Sequence, residues 1–205
     1  LEDCPKILSS MQIGTNRIRQ IVLSLRNFSH LDEAEMKWVD IHEGIDSTLL
    51  ILQHRLCSQT GKAEILVIKD YGNLPVIECY ARQLNQVFMN LLNNAIDAVE
   101  AVIIDDKESS HYPLSITHYP CPTIRICTEI IGENRVAIRI IDNGKGMTKD
   151  VKKRLFDPFF TTKPVGQGTG LGLSISYQIV EQHGGILKCS SEPGQGAEFQ
   201  IEIPI

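Results

Sequence analysis

The apolar residues Ile7, Met11, Ile18, Ile21, Val22, Leu25 and Phe28 recur every three, four or seven places, which draws one stripe along a helix over about residues 5–31. Pro5 suits its first turn, where a missing N–H costs nothing, and Arg17, Arg19, Arg26 and Asn27 fall off the stripe. Such a lone amphipathic helix needs a partner, so dimerisation or pairing with an upstream helix is expected. The charged run Asp32-Glu33-Ala34-Glu35 marks a domain boundary near residue 35. Beyond it a short strand is predicted at 38–41. Asp40-x-x-Glu43 then forms a capping box for a helix over 42–56. Strands follow at 65–69 and 76–79, joined by a turn at Tyr71-Gly72-Asn73, then a long, largely buried helix over 82–102. Residues 105–122, with two aspartates, three serines and three prolines, read as an irregular insertion. A hairpin pair (123–130 and 135–141), a helix (171–183) and strands at 186–190 and 197–203 complete the chain. Hairpins outnumber crossovers, which predicts an α+β, two-layer sandwich with a mixed β-sheet, preceded by the long N-terminal helix.

Composition changes this picture little. The chain has 205 residues, 42% of them apolar and 22% charged, enough for one good core and a smaller appendage. A net charge of −5 argues against a surface built to hold nucleic acid or anionic lipid, while leaving room for a local cationic pocket. Six scattered cysteines without a C-x-x-C pair give neither a zinc knuckle nor a redox motif, and fit a cytoplasmic protein with reduced thiols. No apolar run reaches the roughly 18–20 residues that span a bilayer. The opening Leu1-Glu2-Asp3-Cys4 reads as the interior of something longer.

Four segments carry candidate chemistry. On the long helix, Asn90, Asn94 and Asp97 sit at i, i+4 and i+7 and share a face. Their oxygens suit a hard cation such as Mg²⁺, or could be buried polar groups paired with a neighbouring loop. Directly after a strand, Asp142-Asn143-Gly144-Lys145-Gly146-Met147 offers a carboxylate to an exocyclic amine such as that of adenine. Two glycines there let backbone approach a flat ring, although an ordinary Asx turn has the same pattern. Phe156-Asp157-Pro158-Phe159-Phe160-Thr161-Thr162-Lys163 reads as an aromatic anchor whose polar end can turn over a nucleotide, with Lys163 as a point charge for phosphate; core packing of the aromatics is compatible. Gly166-Gln167-Gly168-Thr169-Gly170-Leu171-Gly172-Leu173-Ser174 opens a helix, where free N–H groups and the dipole favour an anion. It is neither a Walker A loop nor a Rossmann turn, and a flexible surface loop is its plainer reading.

In order and spacing these segments resemble the N box, G1 box, F box and G2 box of sensor histidine kinases. The resemblance covers about residues 36–205, including the closing Gly194-Gln195-Gly196-Ala197-Glu198-Phe199 turn and strand, and is nearest the nitrogen-regulation kinases in Asn94-to-Ala98 and Phe160-to-Lys163. It implies a Bergerat-type ATP-binding sandwich with helices on one face of the sheet and a lid over about residues 157–168. It implies ATP and Mg²⁺ as cofactors, with Asn94 as the metal ligand and Asn90 as its polar neighbour. Asp142 would read the adenine and the 168–172 backbone would cradle phosphate. Asp97, Gly144, Gly146, Met147, Thr162, Lys163, Gly168, Thr169, Gly170, Leu171, Gly172 and Leu173 would complete the cofactor-binding set.

The family's acceptor histidine stands in a His-Glu/Asp motif with proline five places on. The six histidines here, His30, His42, His54, His111, His118 and His183, are followed at that place by Glu, Ser, Gln, Ile, Thr and Lys. Residues 1–34 therefore resemble the second helix of the dimerisation hairpin, with the acceptor upstream and no catalytic residue of that kind in this sequence. The implied partners are a second copy of the chain and the receiver domain of a response regulator. The main alternative, an ATPase of the same superfamily, would carry glutamate four places before the metal-binding asparagine as general base; here Asn90 stands there. A non-catalytic dimerisation scaffold and a serine-directed kinase are further alternatives.

Overall fold

The computed structural model describes residues 35–57, 64–109, 121–164 and 168–205, without the side chains of 103–109. The expected N-terminal helix, most of the tip of the insertion and Gly166-Gln167 lie outside the described residues. Among the described residues seven strands and four helices follow in chain order: β1 (Lys37–Val39), α1 (Ile41–Leu56), β2 (Leu66–Tyr71), β3 (Ile77–Cys79), α2 (Ala81–Ser109), β4 (Thr123–Ile131), β5 (Arg135–Asp142), α3 (Lys149–Arg154), α4 (Gly172–Gln182), β6 (Ile186–Ser191) and β7 (Ala197–Pro204).

Five strands form one sheet in the order β2-β4-β5-β7-β6, and β1 pairs with β3 in a separate antiparallel ribbon. Only the β2–β4 pairing within the large sheet is parallel, so the sheet is mixed. Helix α2 packs between α1 and α4 and against β5, giving the two-layer sandwich with helices on one face. Period-two alternation aims Val136, Ile138 and Ile140 of the central strand at the helices, and all three are buried. From the other side α1 contributes Ile41, Ile45, Leu49 and Leu52, and α2 contributes Leu84, Phe88, Leu91, Leu92, Ile96 and Val99. Each such side chain withdrawn from water contributes about 1.5–3 kcal/mol.

Local chemistry sets the element ends. Asp40 caps α1 by accepting from the His42 N–H at 2.8 Å, which ends β1 at Val39 and assigns Ile41 to the helix, not to the strand expected at 38–41. The strands expected as neighbours around Gly72 part company: β2 pairs in parallel with β4, and β3 joins β1. Gly72 itself is pinned to β4, donating to the Thr128 carbonyl at 2.9 Å and to its hydroxyl at 3.0 Å. Helix α2 also continues to Ser109, so the first residues of the expected irregular insertion are helical. Residues 107–109 contain no helix breaker, and the stretch continues the hydrogen-bonded ladder cooperatively. The short α3, capped by Thr148, has no counterpart in the apolar pattern because it is Lys-Asp-Val-Lys-Lys-Arg.

Candidate nucleotide-binding site

One cavity of about 640 Å³ lies between α2, the end of β5, α3, the segment around 160–164 and the start of α4. It brings together residues from all four sequence segments. Asn90, Asn94, Asp97, Asp142, Gly146, Met147, Thr162, Lys163, Gly168, Thr169, Gly170, Gly172 and Leu173 line it. Gly144 and Leu171 do not line it. Gly144 packs its backbone on α2, where a Cβ would come within 2.6 Å of the Ala98 backbone. Leu171 is the residue from which α4 springs.

At one end, Asp142 occupies the last position of β5. It continues the inward row of Val136, Ile138 and Ile140, so its carboxylate sits under the helices, only 4% exposed. It accepts from the Gly144 N–H at 2.9 Å. Burial outweighs the backbone hydrogen bonds from Gly144 and Ala197 and pushes its pKa up to about 6. Gly146 adopts φ +66° with its Cα against β6–β7 turn backbone, where a Cβ would lie 2.0 Å from the Glu192 carbonyl oxygen. Met147 N–H donates to Ser191 Oγ at 2.9 Å, and that hydroxyl donates to the Gly196 carbonyl at 2.6 Å. The Asp142–Met147 turn is therefore fixed by Ser191 of β6, Ala197 of β7 and the turn between those strands.

Along the floor, the polar face of α2 lies opposite its buried Leu91, Leu92, Ala95 and Ile96. Asn90 Nδ2 donates to the Gly172 carbonyl at 3.0 Å and to Ser176 Oγ at 3.1 Å, tying α2 to the first turn of α4. Asn94, one turn on along the same face, lines the cavity. Asp97 accepts from Arg55 Nη2 at 2.6 Å and from Lys163 Nζ. Burial raises its pKa, but the hydrogen bonds from Lys163 and Arg55 outweigh it and hold the carboxyl below its ordinary range.

Arg55 was not singled out from the sequence. From the last turn of α1 its guanidinium also reaches Asn93 Oδ1 at 2.9 Å and Glu100 Oε2 at 2.8 Å, so one side chain fixes three polar residues of α2. A lone arginine at the end of an amphipathic helix carries no motif that would reveal this. Asn93, Lys145 and Phe160 also line the cavity without having been chosen as ligands.

At the other end, α4 begins without a side-chain cap, so its first N–H groups are available to an anion. The three aromatics before it divide their work. Phe156 packs on Tyr177 of α4 with ring centroids 5.1 Å apart, and Phe160 faces the cavity beneath Arg154. Phe159 is 74% exposed at φ 65°. Gly170, at φ +66°, lies so close to it that a Cβ would meet the Phe159 carbonyl carbon at 2.4 Å.

Residues 79–205, more than half of the chain, match the family described as histidine kinase-, DNA gyrase B- and HSP90-like ATPases. The chain belongs to that family. Within it, this ATPase-family domain is similar to the signal transduction histidine-protein kinase AtoS of Escherichia coli, 32% identical over 92% of this chain and 27% of that protein. Among solved structures it is similar to the catalytic domain of histidine kinase ThkA, with 28% identity, TM-score 0.64, and coverage of 83% of this chain and 95% of that one. It shares its fold with ThkA solved in complex with the response regulator protein TrrA, with 23% identity, TM-score 0.61, and coverage of 97% of this chain and 50% of that one. The chain spans between 15% and 35% of the length of the curated relatives it matches. The family assigns the domain a nucleotide, and the cavity is where the four segments singled out from the sequence meet. Among the described residues no helix is long and apolar enough to cross a membrane, and no cluster of three or more histidine, cysteine or acidic side chains could hold a metal.

Proposed function

We propose that this domain binds ATP and donates its γ-phosphoryl group to a histidine of a sensor histidine kinase, for relay to a response regulator. The observation that carries this reading is Asn90. An ATPase of this superfamily needs a carboxylate at that place to take a proton from water. Here the side chain is an amide that donates both hydrogens, to Gly172 and Ser176, and it has no basic site at neutral pH. Phosphoryl transfer depends mainly on positioning and electrostatics, so a pocket without a water base can still serve a better nucleophile such as imidazole.

The adenine amino group would donate to the Asp142 carboxylate, with the ring against Gly146 and Met147. The triphosphate would run past Asn94 to the open start of α4. Asn94, whose side chain lines the cavity and carries an amide oxygen, fits a hard cation that keeps most of its shell as water and phosphate oxygens. Mg²⁺ held there would neutralise part of the triphosphate charge. The acceptor would lie apart from the described histidines: His42, His54 and His183 are outside the cavity lining, and the His183 ring is occupied by the Tyr80 N–H and the Ile179 carbonyl. Residues 1–34 would supply the second helix of the dimerisation hairpin, and a receiver domain would take the phosphate from the acceptor. A longer protein carrying this chain, incubated with γ-labelled ATP, is expected to yield an acid-labile phosphohistidine that passes to a receiver aspartate. Steady ATP turnover with no labelled protein would replace the kinase with an ATPase.

A further inference from the structure

The cavity contains an acid whose partners are of two kinds. Asp97 accepts from Arg55, which sits on α1 and is itself fixed by Asn93 and Glu100. Its other oxygen accepts from Lys163. That lysine lies on irregular backbone, with its own N–H held by Thr161 Oγ1 at 3.1 Å. The first cation belongs to the helical scaffold. The second belongs to a segment with no ladder hydrogen bonds to hold it, and it lines the same cavity as Asn94 and the start of α4.

We propose that Asp97 is a selectivity residue that competes with the nucleotide's phosphates for Lys163. The inference rests on the nucleotide reading above and deepens it. A lysine ammonium is a compact point charge on a flexible stem, and a polyanion entering beside it presents more charge than one carboxylate. Lys163 would then pass from Asp97 to phosphate, while Arg55 stays behind to keep Asp97 neutralised. Because part of the phosphate attraction is spent on breaking the resident pair, Asp97 lowers affinity for the phosphate part of the ligand and leaves the base part untouched. This is opposite in sign to a role for Asp97 in holding the metal.

The test is calorimetric titration with Mg-ATP and with adenosine on four forms of the protein: unaltered, Asp97→Asn, Lys163→Met, and both together. Asp97→Asn is expected to tighten ATP by about three- to fivefold, the scale of a partly exposed ion pair, with adenosine unchanged. Lys163→Met is expected to weaken ATP alone, and in that background Asp97→Asn is expected to lose its gain, the signature of a coupled pair. Weaker ATP binding by Asp97→Asn, an equal gain in both backgrounds, or an equal change for adenosine overturns the competition. Lys163→Met, at a partly exposed position outside the core, tests it even where Asp97→Asn does not fold: unchanged ATP affinity then overturns it. An unaltered protein that binds no ATP overturns instead the nucleotide reading on which the inference rests.

Discussion

Asn90 of α2 gives its amide hydrogens to the Gly172 carbonyl and to Ser176 Oγ, so the residue that would be the base of a hydrolase is here a tie between two helices. Ser176 is fully buried and donates in turn to the Gly172 carbonyl at 2.8 Å. Replacing Asn90 with glutamate puts an acceptor against these acceptors. Asn90→Glu is therefore expected to weaken ATP binding without raising ATP turnover, and Asn90→Ala to cost about 1–2 kcal/mol of stability through the lost hydrogen bonds. A phosphate-release assay and denaturant unfolding check both; a gain in turnover by Asn90→Glu would contradict the assignment.

Asp142 couples binding to pH. Its folded pKa, about 6, lies above the ordinary aspartate value because burial penalises the charged form. A carboxyl raised in this way binds more protons folded than unfolded, so it costs stability as pH rises from about 4 through 6, and the cost is absent below that window. Asp142→Asn is expected to make the ligand-free domain more stable at pH 7.5, by about 1–3 kcal/mol, with the difference shrinking at pH 4. The same variant is expected to lose adenine nucleotide binding. In the unaltered protein, ATP affinity is expected to fall as pH drops through 6, where the carboxylate acceptor is protonated. Thermal unfolding and titrations across pH 4–8 report both trends.

Arg55 joins α1 to α2 through three acceptors. Arg55→Met leaves Asp97 and Glu100 side by side with less compensation, and the expected loss is about 2–4 kcal/mol, larger than for an exposed pair because the charges are partly buried. Chemical denaturation measures it. Once Asp97 has lost its scaffold cation it holds Lys163 more tightly, so ATP affinity is expected to fall as well.

Gly146 cannot carry a side chain. Its backbone is left-handed and a Cβ would lie 2.0 Å from the Glu192 carbonyl oxygen. Gly146→Ala is expected to cost more than about 1 kcal/mol and to displace Met147 from Ser191, lowering nucleotide affinity by roughly tenfold or more. Gly194→Ala is the control: Gly194 shares the positive φ but has open space around it, so only the backbone penalty applies.

Much of this was legible from residue order. The hairpin strands at 123–130 and 135–141 were read at nearly their full length, with Asp142 expected just after the strand whose last residue it is, and the i, i+4, i+7 spacing placed Asn90, Asn94 and Asp97 on one face of α2. Pairing was less legible. The parallel β2–β4 contact depends on a crossover through α2, and no feature of residues 71–76 separates that from a hairpin. Arg55 and the Lys163–Asp97 pair were hidden for a related reason: each joins elements about 40 or more residues apart, and single charges carry no periodicity. The α3 helix was missed because it buries none of its residues, which leaves no apolar signal.

The most direct test of the central claim is calorimetric titration of this chain with ATP, with and without Mg²⁺, beside Asn94→Ala. Binding in the micromolar range, about −8 kcal/mol at 1 μM, that requires Mg²⁺ and is lost in Asn94→Ala, is the result the account predicts. No heat of binding at millimolar ATP, or binding indifferent both to Mg²⁺ and to Asn94, would contradict it.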